Sequence, residues 1–162
     1  MTEYHLEPGA LRGKVIDCHS HVGVNLKSYV CREYPYAQTV EGLWYRQRGS
    51  GVDVNVVFPA GGSLYFDPAH FQAGEMRSGD SSLAAAPYAL ANEMLMLEVY
   101  EYNRERSGRF IPFAMIDPGR KVPEQLRRLR ELEQRFPVYG LKVSPVDCQS
   151  KVTRLLEEGR AF

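Results

Sequence analysis

The stretch "VIDCHSHVG", residues 15–23, places two histidines one residue apart at the end of an apolar run. The run opens with β-branched residues, which favour a strand. Alternate side chains of an extended chain share a face, so His19 and His21 are expected on one side together with Asp17. The same alternation turns Cys18 toward the opposite side, where covering helices are expected. The stretch therefore predicts a strand whose C-terminal end carries groups able to bind a metal ion or a proton.

Three further segments have the composition of strands, and helical segments separate them. After the first strand at 14–21 they are "VDVNVVFPA" (52–60), "RFIPFAMIDP" (109–118) and "VYGLKVSP" (138–145). Strands that alternate with helices form βαβ units and a parallel sheet. The sequence therefore predicts an α/β fold of parallel strands, with a βα unit for each of these segments.

The segments between the predicted strands carry recognisable helix ends. Thr39 is expected to cap the helix before the second strand, because its hydroxyl can accept a backbone N–H. Pro87 and Gly108 mark the start and the stop of the next helix. Leucines at helical spacing predict another helix over 123–136. Residues 61–82 form a long insertion rich in glycine and serine, and loops of this length are typically functional or disordered.

Composition restricts the class of protein. The 162 residues fit one domain, and 20 basic side chains balance 20 acidic ones, which argues against a nucleic-acid or anionic-membrane partner. The sequence contains no apolar run near the roughly 20 residues of a membrane span, and its N-terminus lacks an apolar signal segment. The 3 cysteines have no metal-finger or disulfide-framework spacing. These features predict a cytoplasmic protein with reduced thiols.

Polar residues gather where the predicted strands end. In the fourth strand, Lys142 and Ser144 alternate with the apolar Leu141 and Val143, so one face of the strand is polar. Active sites of β/α barrels lie at the C-terminal ends of the strands. The sequence has neither the glycine-rich phosphate turn of a dinucleotide-binding sheet nor a P-loop. The pattern therefore favours a partial β/α barrel of the TIM type over a doubly wound sheet.

"VIDCHSHVG" resembles the D-x-H-x-H signature that opens the amidohydrolase superfamily, a group of metal-dependent hydrolases on a β/α barrel. "RFIPFAMIDP" and "YGLKVSP" resemble the third and fourth strands of its amidohydrolase-2 branch. The resemblance implies a divalent metal ion, zinc in the first instance, with His19 and His21 as ligands. It also implies that the carboxylate of Asp17 orients a ligating imidazole without binding the metal itself. A strand-end cap or an ion pair with Lys14 or Arg12 is the alternative interpretation of Asp17.

The resemblance covers residues 14–145, the first half of the family's barrel. Such a barrel has eight strands and about 250 residues, and the family takes its remaining ligands from later strands. Residues 1–162 are therefore expected to form the N-terminal half of a hydrolase barrel, a single incomplete domain without activity of its own. Two histidines leave zinc short of the three or more protein ligands that its sites usually have.

The remaining candidate residues are substrate-binding ones. Lys142 faces the expected barrel mouth, where binuclear relatives carry a carboxylated bridging lysine; binding of a substrate carboxylate and a structural ion pair are the alternatives. Ser144 stands where many relatives have a histidine. Tyr29 follows the histidine signature and either lines a substrate pocket or packs beneath a loop. His70, in the 61–82 insertion, is interpreted as a solvated side chain rather than a ligand.

Several functions are compatible with this pattern. A metal-activated water attacking an amide, lactone or related carbonyl is the first, with a small molecule as substrate. Metal-dependent decarboxylation of aromatic acids and a phosphoesterase with an H-x-H strand are the enzymatic alternatives, although the latter needs more ligands than the 4 histidines provide. The non-enzymatic alternative is a half-barrel whose open edge is covered by a second copy or by a complementary half, which predicts an oligomer.

Overall fold

The computed structural model describes residues 6–7, 9–25, 32, 37–60, 67, 69–70, 73–75, 77, 86–148 and 153–162. Its strands are β1 (Ile16–Val24), β2 (Ala37–Gln38), β3 (Val54–Pro59), β4 (Phe110–Pro112), β5 (Ala114–Ile116) and β6 (Leu141–Val143). Its α-helices are α1 (Val40–Gln47), α2 (Ala89–Leu97), α3 (Val122–Glu133), α4 (Pro145–Cys148) and α5 (Thr153–Leu156). A π-helical turn (Glu98–Tyr102) and 3-10 turns (Arg104–Arg109 and Glu158–Ala161) complete the described structure.

The parallel strands pair in the order in which they follow one another along the chain, and the short β2 lies on the outer side of β1. One sheet has the order β2-β1-β3-β4, with β1, β3 and β4 parallel and the short β2 antiparallel to β1. A second parallel ladder joins β5 to β6. Only Phe113 separates β4 from β5, so the two ladders are linked directly. The predicted α/β class with a mostly parallel sheet is therefore confirmed. Within the described residues no ladder joins β6 back to β1.

The third predicted strand changes partner at its middle. The amide of Phe113 donates to the carbonyl of Val57 in β3, and the next amide, that of Ala114, donates to the carbonyl of Gly140 before β6. Successive amides of an extended chain point to opposite sides, which places this segment between its two neighbours. The segment predicted as one strand over 109–118 is thus two three-residue strands that bridge the two ladders.

The hydrophobic core lies between the sheet and the helices. It contains side chains from β1, β3 and β4 on one side and from α1, α2 and the π-helical turn on the other, among them Val22, Val57, Phe110, Leu43, Leu95 and Val99. Asn92 of α2 clamps the sheet, because its amide donates to the carbonyl of Met115 and accepts from the same residue's N–H. The helices therefore cover one face of the parallel sheet.

Local side-chain hydrogen bonds mark the start of one helix and the end of another. Thr39 caps α1 as predicted, with its hydroxyl accepting the N–H of Gly42 at 2.9 Å. The helix predicted to run on to Gly108 instead leaves the α-helical form after Leu97. The side chain of Asn103 donates to the carbonyl of Glu98 at 2.9 Å, which satisfies a carbonyl at the point where the helix ends.

The described part of the chain contains no helix with both the length and the apolar character that crossing a membrane requires. Among the described helices the longest, α3, has 12 residues.

Candidate functional site

A β-bulge in β1 determines which of its side chains meet. The register runs from Asp17 opposite Asn55 to Ser20 opposite Val57, so β1 contains one residue more than β3 over this interval. A bulge breaks the two-residue alternation of a strand and re-aims the side chains that follow it. The residues on either side of the bulge therefore do not share the face that a regular strand would give them.

The carboxylate of Asp17 forms hydrogen bonds that stabilise the bulge, and none of the described ones is to an imidazole ring. It accepts the backbone N–H of His19 at 3.0 Å, the hydroxyl of Ser20 at 2.7 Å and the side-chain amide of Gln47 at 2.8 Å. The expectation that Asp17 shares the histidine face and orients a ring is not what the described contacts show. The alternative pairing with Lys14 is not seen either, because Lys14 lies 3.9 Å from the carboxylate of Asp53.

The hydrogen bonds to Asp17 favour its charged form. The backbone N–H of His19 contributes most, followed by the hydroxyl of Ser20, and together with Gln47 they lower the pKa of the carboxyl group. Burial opposes this effect without reversing it. The bulge is thus held by a carboxylate that stays ionised to lower pH than an ordinary aspartate.

The two histidines of β1 converge at their Nε2 atoms. These atoms lie 3.1 Å apart, and the ring centroids are separated by 5.1 Å. Nδ1 of His21 lies 3.0 Å from the carbonyl oxygen of Pro59, which can only accept a hydrogen bond. Nδ1 of His21 therefore carries the hydrogen, which is the tautomer that leaves the Nε2 lone pair of a neutral ring available for a metal ion.

Lys142 completes a cluster of three nitrogen atoms. Its Nζ lies 2.7 Å from Nε2 of His19 and 3.3 Å from Nε2 of His21. Lys142 belongs to β6, which is separated from β1 in the sheets by β3 and the β4–β5 segment. Neighbouring strands lie about 4.8 Å apart, and three such spacings separate β1 from β6. In a flat sheet the backbones of the two strands would therefore be about 14 Å apart. The strands therefore form a curved surface, and the side chains of β1 and β6 meet on its concave side.

The ring of Phe58 packs against two members of the nitrogen cluster. Nζ of Lys142 lies 4.0 Å from the centroid of the Phe58 ring, a cation–π distance, and His19 meets the same ring edge-on at 5.2 Å. Phe58 in turn meets Phe113 edge-on at 5.6 Å. The sequence contains no signal for this role, because an apolar residue within a buried strand has the same appearance when it only fills the core.

The other predicted residues lie elsewhere or outside the described chain. Ser144 is partly buried and its carbonyl accepts the N–H of Cys148 in α4. Tyr29 lies outside the described residues, so its expected place in a pocket remains a prediction. Nδ1 of His70 lies 3.0 Å from Asp67, which gives the ring a carboxylate partner that the sequence did not suggest.

Cys18 also differs from its expected position. The sequence pattern turns it toward the helices, yet it is exposed in the structure. Cys18 is one of the two bulge residues that lie opposite a single residue of β3, which shifts it out of the regular alternation. The bulge thus accounts for the positions of both Asp17 and Cys18.

The imidazole pair fits a metal ion as part of a larger site. Two nitrogen ligands at the usual Zn–N length of about 2.0–2.1 Å in a tetrahedral site lie about 3.3 Å apart, close to the 3.1 Å seen between the Nε2 atoms of His19 and His21. Across the residues that the structure describes, no three His, Cys, Asp or Glu side chains are grouped closely enough to hold a metal ion. The pair could therefore supply two ligands, and a metal site here would need further ones.

Comparison with known proteins gives no relative: no family model, no curated protein and no solved structure matches the chain. The fold and the site define an α/β protein with a paired-imidazole site beside a lysine at the C-terminal ends of parallel strands. Its function is inferred from the geometry of that site.

Proposed function

We propose that His19 and His21 bind a divalent metal ion, zinc in the first instance, in a metal-dependent hydrolase of the amidohydrolase superfamily. The observation that carries the proposal is the convergence of the two Nε2 atoms with Nζ of Lys142, within 3.3 Å of one another. These side chains come from the first and the last parallel strands of the described chain. β/α barrels place their active sites where the C-terminal ends of several strands meet.

The strand order supports a half-barrel as the setting of this site. β1, β3, the β4–β5 segment and β6 are parallel and follow one another in chain order, which is the order of a β/α barrel and not of a doubly wound sheet. In this proposal residues 1–162 supply half of the barrel wall and two of the metal ligands. The other ligands and the proton-transferring acid or base belong to a complementary segment.

Each residue of the cluster then has a defined task. The hydrogen bond from Nδ1 of His21 to the carbonyl of Pro59 fixes the ring and its tautomer. Asp17 holds the bulge and, through it, the position of His19. When bound, a divalent ion supplies a water of lowered pKa and Lewis acidity toward a carbonyl oxygen. Lys142 supplies a cation that binds an anionic group of the substrate. The substrate class is an amide, a lactone or a related carbonyl compound.

Zinc titration followed by NMR of the imidazole nitrogens tests the metal site. We expect the Nε2 resonances of His19 and His21 to shift on addition of Zn²⁺, and we expect the double variant His19→Ala/His21→Ala to lose most of the binding. His70→Ala is the matched control, since His70 pairs with Asp67 and not with this cluster. An unchanged zinc affinity in the double variant would overturn the assignment.

Hydrolysis is tested separately from metal binding. The zinc-loaded chain, alone and mixed with a candidate complementary half-barrel, is assayed against amide and lactone substrates with and without a chelator. We expect metal-dependent turnover only when the complement is present, and its loss in His19→Ala. Chelator-resistant turnover, or decarboxylation of aromatic acids without hydrolysis, would reject the hydrolase assignment.

A second candidate is a non-catalytic half-barrel that assembles with itself or with a complementary half. Apolar side chains at the two outer parallel strands favour it: Ile16 is 39% exposed and Leu141 is 39% exposed. Light scattering after size exclusion measures the mass of the wild type and of Leu141→Lys. We expect an oligomer that the substitution disrupts, with Leu156→Lys as a control at another exposed leucine. A wild-type monomer at all concentrations would reject self-assembly.

A further inference from the structure

A cleft of about 420 Å³ lies at the N-terminal end of β3, away from the imidazole pair. We call it the rear cleft. Its walls come from the last turn of α1, the following loop, the start of β3 and the end of a 3-10 turn, and they include Trp44, Gln47, Arg48, Asp53, Asn55 and Arg109. Its volume lies within the range of small-molecule sites, about 300–1,000 Å³. None of its lining residues belongs to the nitrogen cluster.

We propose that the rear cleft binds a small molecule that carries both an amide group and a carboxylate. The first observation is Asn55, which is only 3% exposed although its side chain is an amide. Its Oδ1 is buried and has no hydrogen-bond partner among the described residues. Buried side-chain amides are nearly always hydrogen-bonded, so an unpaired one beside a cleft indicates a missing partner.

Gln47 provides the second unpaired acceptor of the rear cleft. Its Nε2 donates to the carboxylate of Asp17 at 2.8 Å, which fixes the orientation of the amide. Its Oε1 is consequently the buried oxygen, and it too lacks a hydrogen-bond partner in the described structure. Two buried acceptors require donors, and Asn55 also offers its own N–H₂ group. A primary amide satisfies both needs, since it donates through nitrogen and accepts through oxygen.

Two arginines provide the charge that a carboxylate needs. Arg48 and Arg109 line the rear cleft, and neither makes a salt bridge with an acidic residue of the described chain. The guanidinium of Arg48 lies 5.5 Å from the centre of the Trp44 ring, which holds it beside the cleft. The acidic Asp53 is already engaged, since it accepts the N–H of Val15 at 2.9 Å and pairs with a lysine.

Succinamate, succinate and butanamide are the probes, because they carry both groups, only carboxylates and only the amide, respectively. Trp44 is the only tryptophan of the chain and lines the rear cleft, so its fluorescence reports binding there. We expect succinamate to bind at least about tenfold more tightly than either of the other two. NMR of the Asn55 side-chain amide should show a shift with succinamate in the wild-type protein.

Variants identify the groups responsible. We expect Asn55→Leu to remove the preference for succinamate over succinate, and Arg109→Gln to weaken succinamate binding about tenfold. Arg46→Gln is the control, because Arg46 lies next to Gln47 in α1 but does not line the rear cleft. This variant should bind succinamate as the wild type does. Equal binding of the three probes, or no shift of the Asn55 amide in the wild type, would overturn the proposal. Neither outcome depends on the metal site.

Discussion

Nζ of Lys142 lies 2.7 Å from Nε2 of His19, although the two residues are 123 positions apart in the sequence. They stand on the first and the last of the parallel strands, and their contact is made across the inner face of a curved sheet. The second imidazole, that of His21, lies within 3.3 Å of the same Nζ. Nζ of Lys142 therefore lies beside the Nε2 atoms of both imidazole rings, where a bound cation would have to approach.

Replacement of Lys142 by Met is expected to raise the zinc affinity of the chain about tenfold, because it removes a cation that competes for the two Nε2 atoms. Lys142→Arg retains the charge and should give no such increase. Isothermal titration with Zn²⁺ measures both variants. A loss of affinity in Lys142→Met would show instead that the lysine itself contributes to metal binding.

Asp17→Asn is expected to lower the free energy of unfolding at pH 7 by about 1 kcal/mol, after allowance for the solvent exposure of the carboxylate. The pKa of Asp17 is lowered from 3.8 in the folded protein, chiefly by the N–H of His19. Its contribution to stability is therefore present above pH 3.8 and is lost as the pH falls through the folded-state pKa.

Urea denaturation between pH 2 and pH 7 measures this effect. The acid-induced loss of stability should be shallower in Asp17→Asn than in the wild type. Glu101→Gln removes an exposed carboxylate and should leave the free energy of unfolding at pH 7 within about 0.5 kcal/mol of the wild type. Parallel profiles for Asp17→Asn and wild type would contradict the role assigned to the carboxylate.

Asn92→Ala is expected to destabilise the fold by about 3 kcal/mol, since it leaves the N–H and the carbonyl of Met115 buried without their partner. Thermal or urea denaturation gives the value. Met94→Ala, on the same helix at a position 49% exposed, should stay within about 0.5 kcal/mol of the wild type. A similarly small effect of Asn92→Ala would show that the clamp between α2 and the sheet contributes little.

Gly140→Ala is expected to displace the ring of Phe113, because an added Cβ would lie 2.5 Å from Cε2 of that ring. Crowding of this kind typically costs about 1–3 kcal/mol. The displacement should reach Phe58, which meets Phe113 at 5.6 Å, and so alter the NMR signals of His19.

Gly108→Ala is the control for this substitution, since a Cβ there meets nothing within 4 Å. If Gly140→Ala changes neither the stability nor the His19 signals, the aromatic support of the nitrogen cluster is not rigid.

Local chemistry made part of this structure predictable. The alternation of strand-forming and helix-forming segments gives the α/β class and the parallel strands, because each depends on residues close together in sequence. The cap at Thr39 follows from its hydroxyl and the N–H groups next to it. The meeting of His19 and His21 also follows from local spacing, since only one residue separates them.

The sequence alone determined, then, which segments form strands and helices and that two imidazoles stand together at a strand end. The tertiary structure decided the bulge that separates Asp17 from the histidine face, because the register of β1 depends on its pairing with β3. It also decided the contact of Lys142 with His19 and the burial of the unpaired Asn55 amide. Strand register, sheet curvature and the packing of a helix over a strand arise from residues distant in sequence, and no local pattern encodes them.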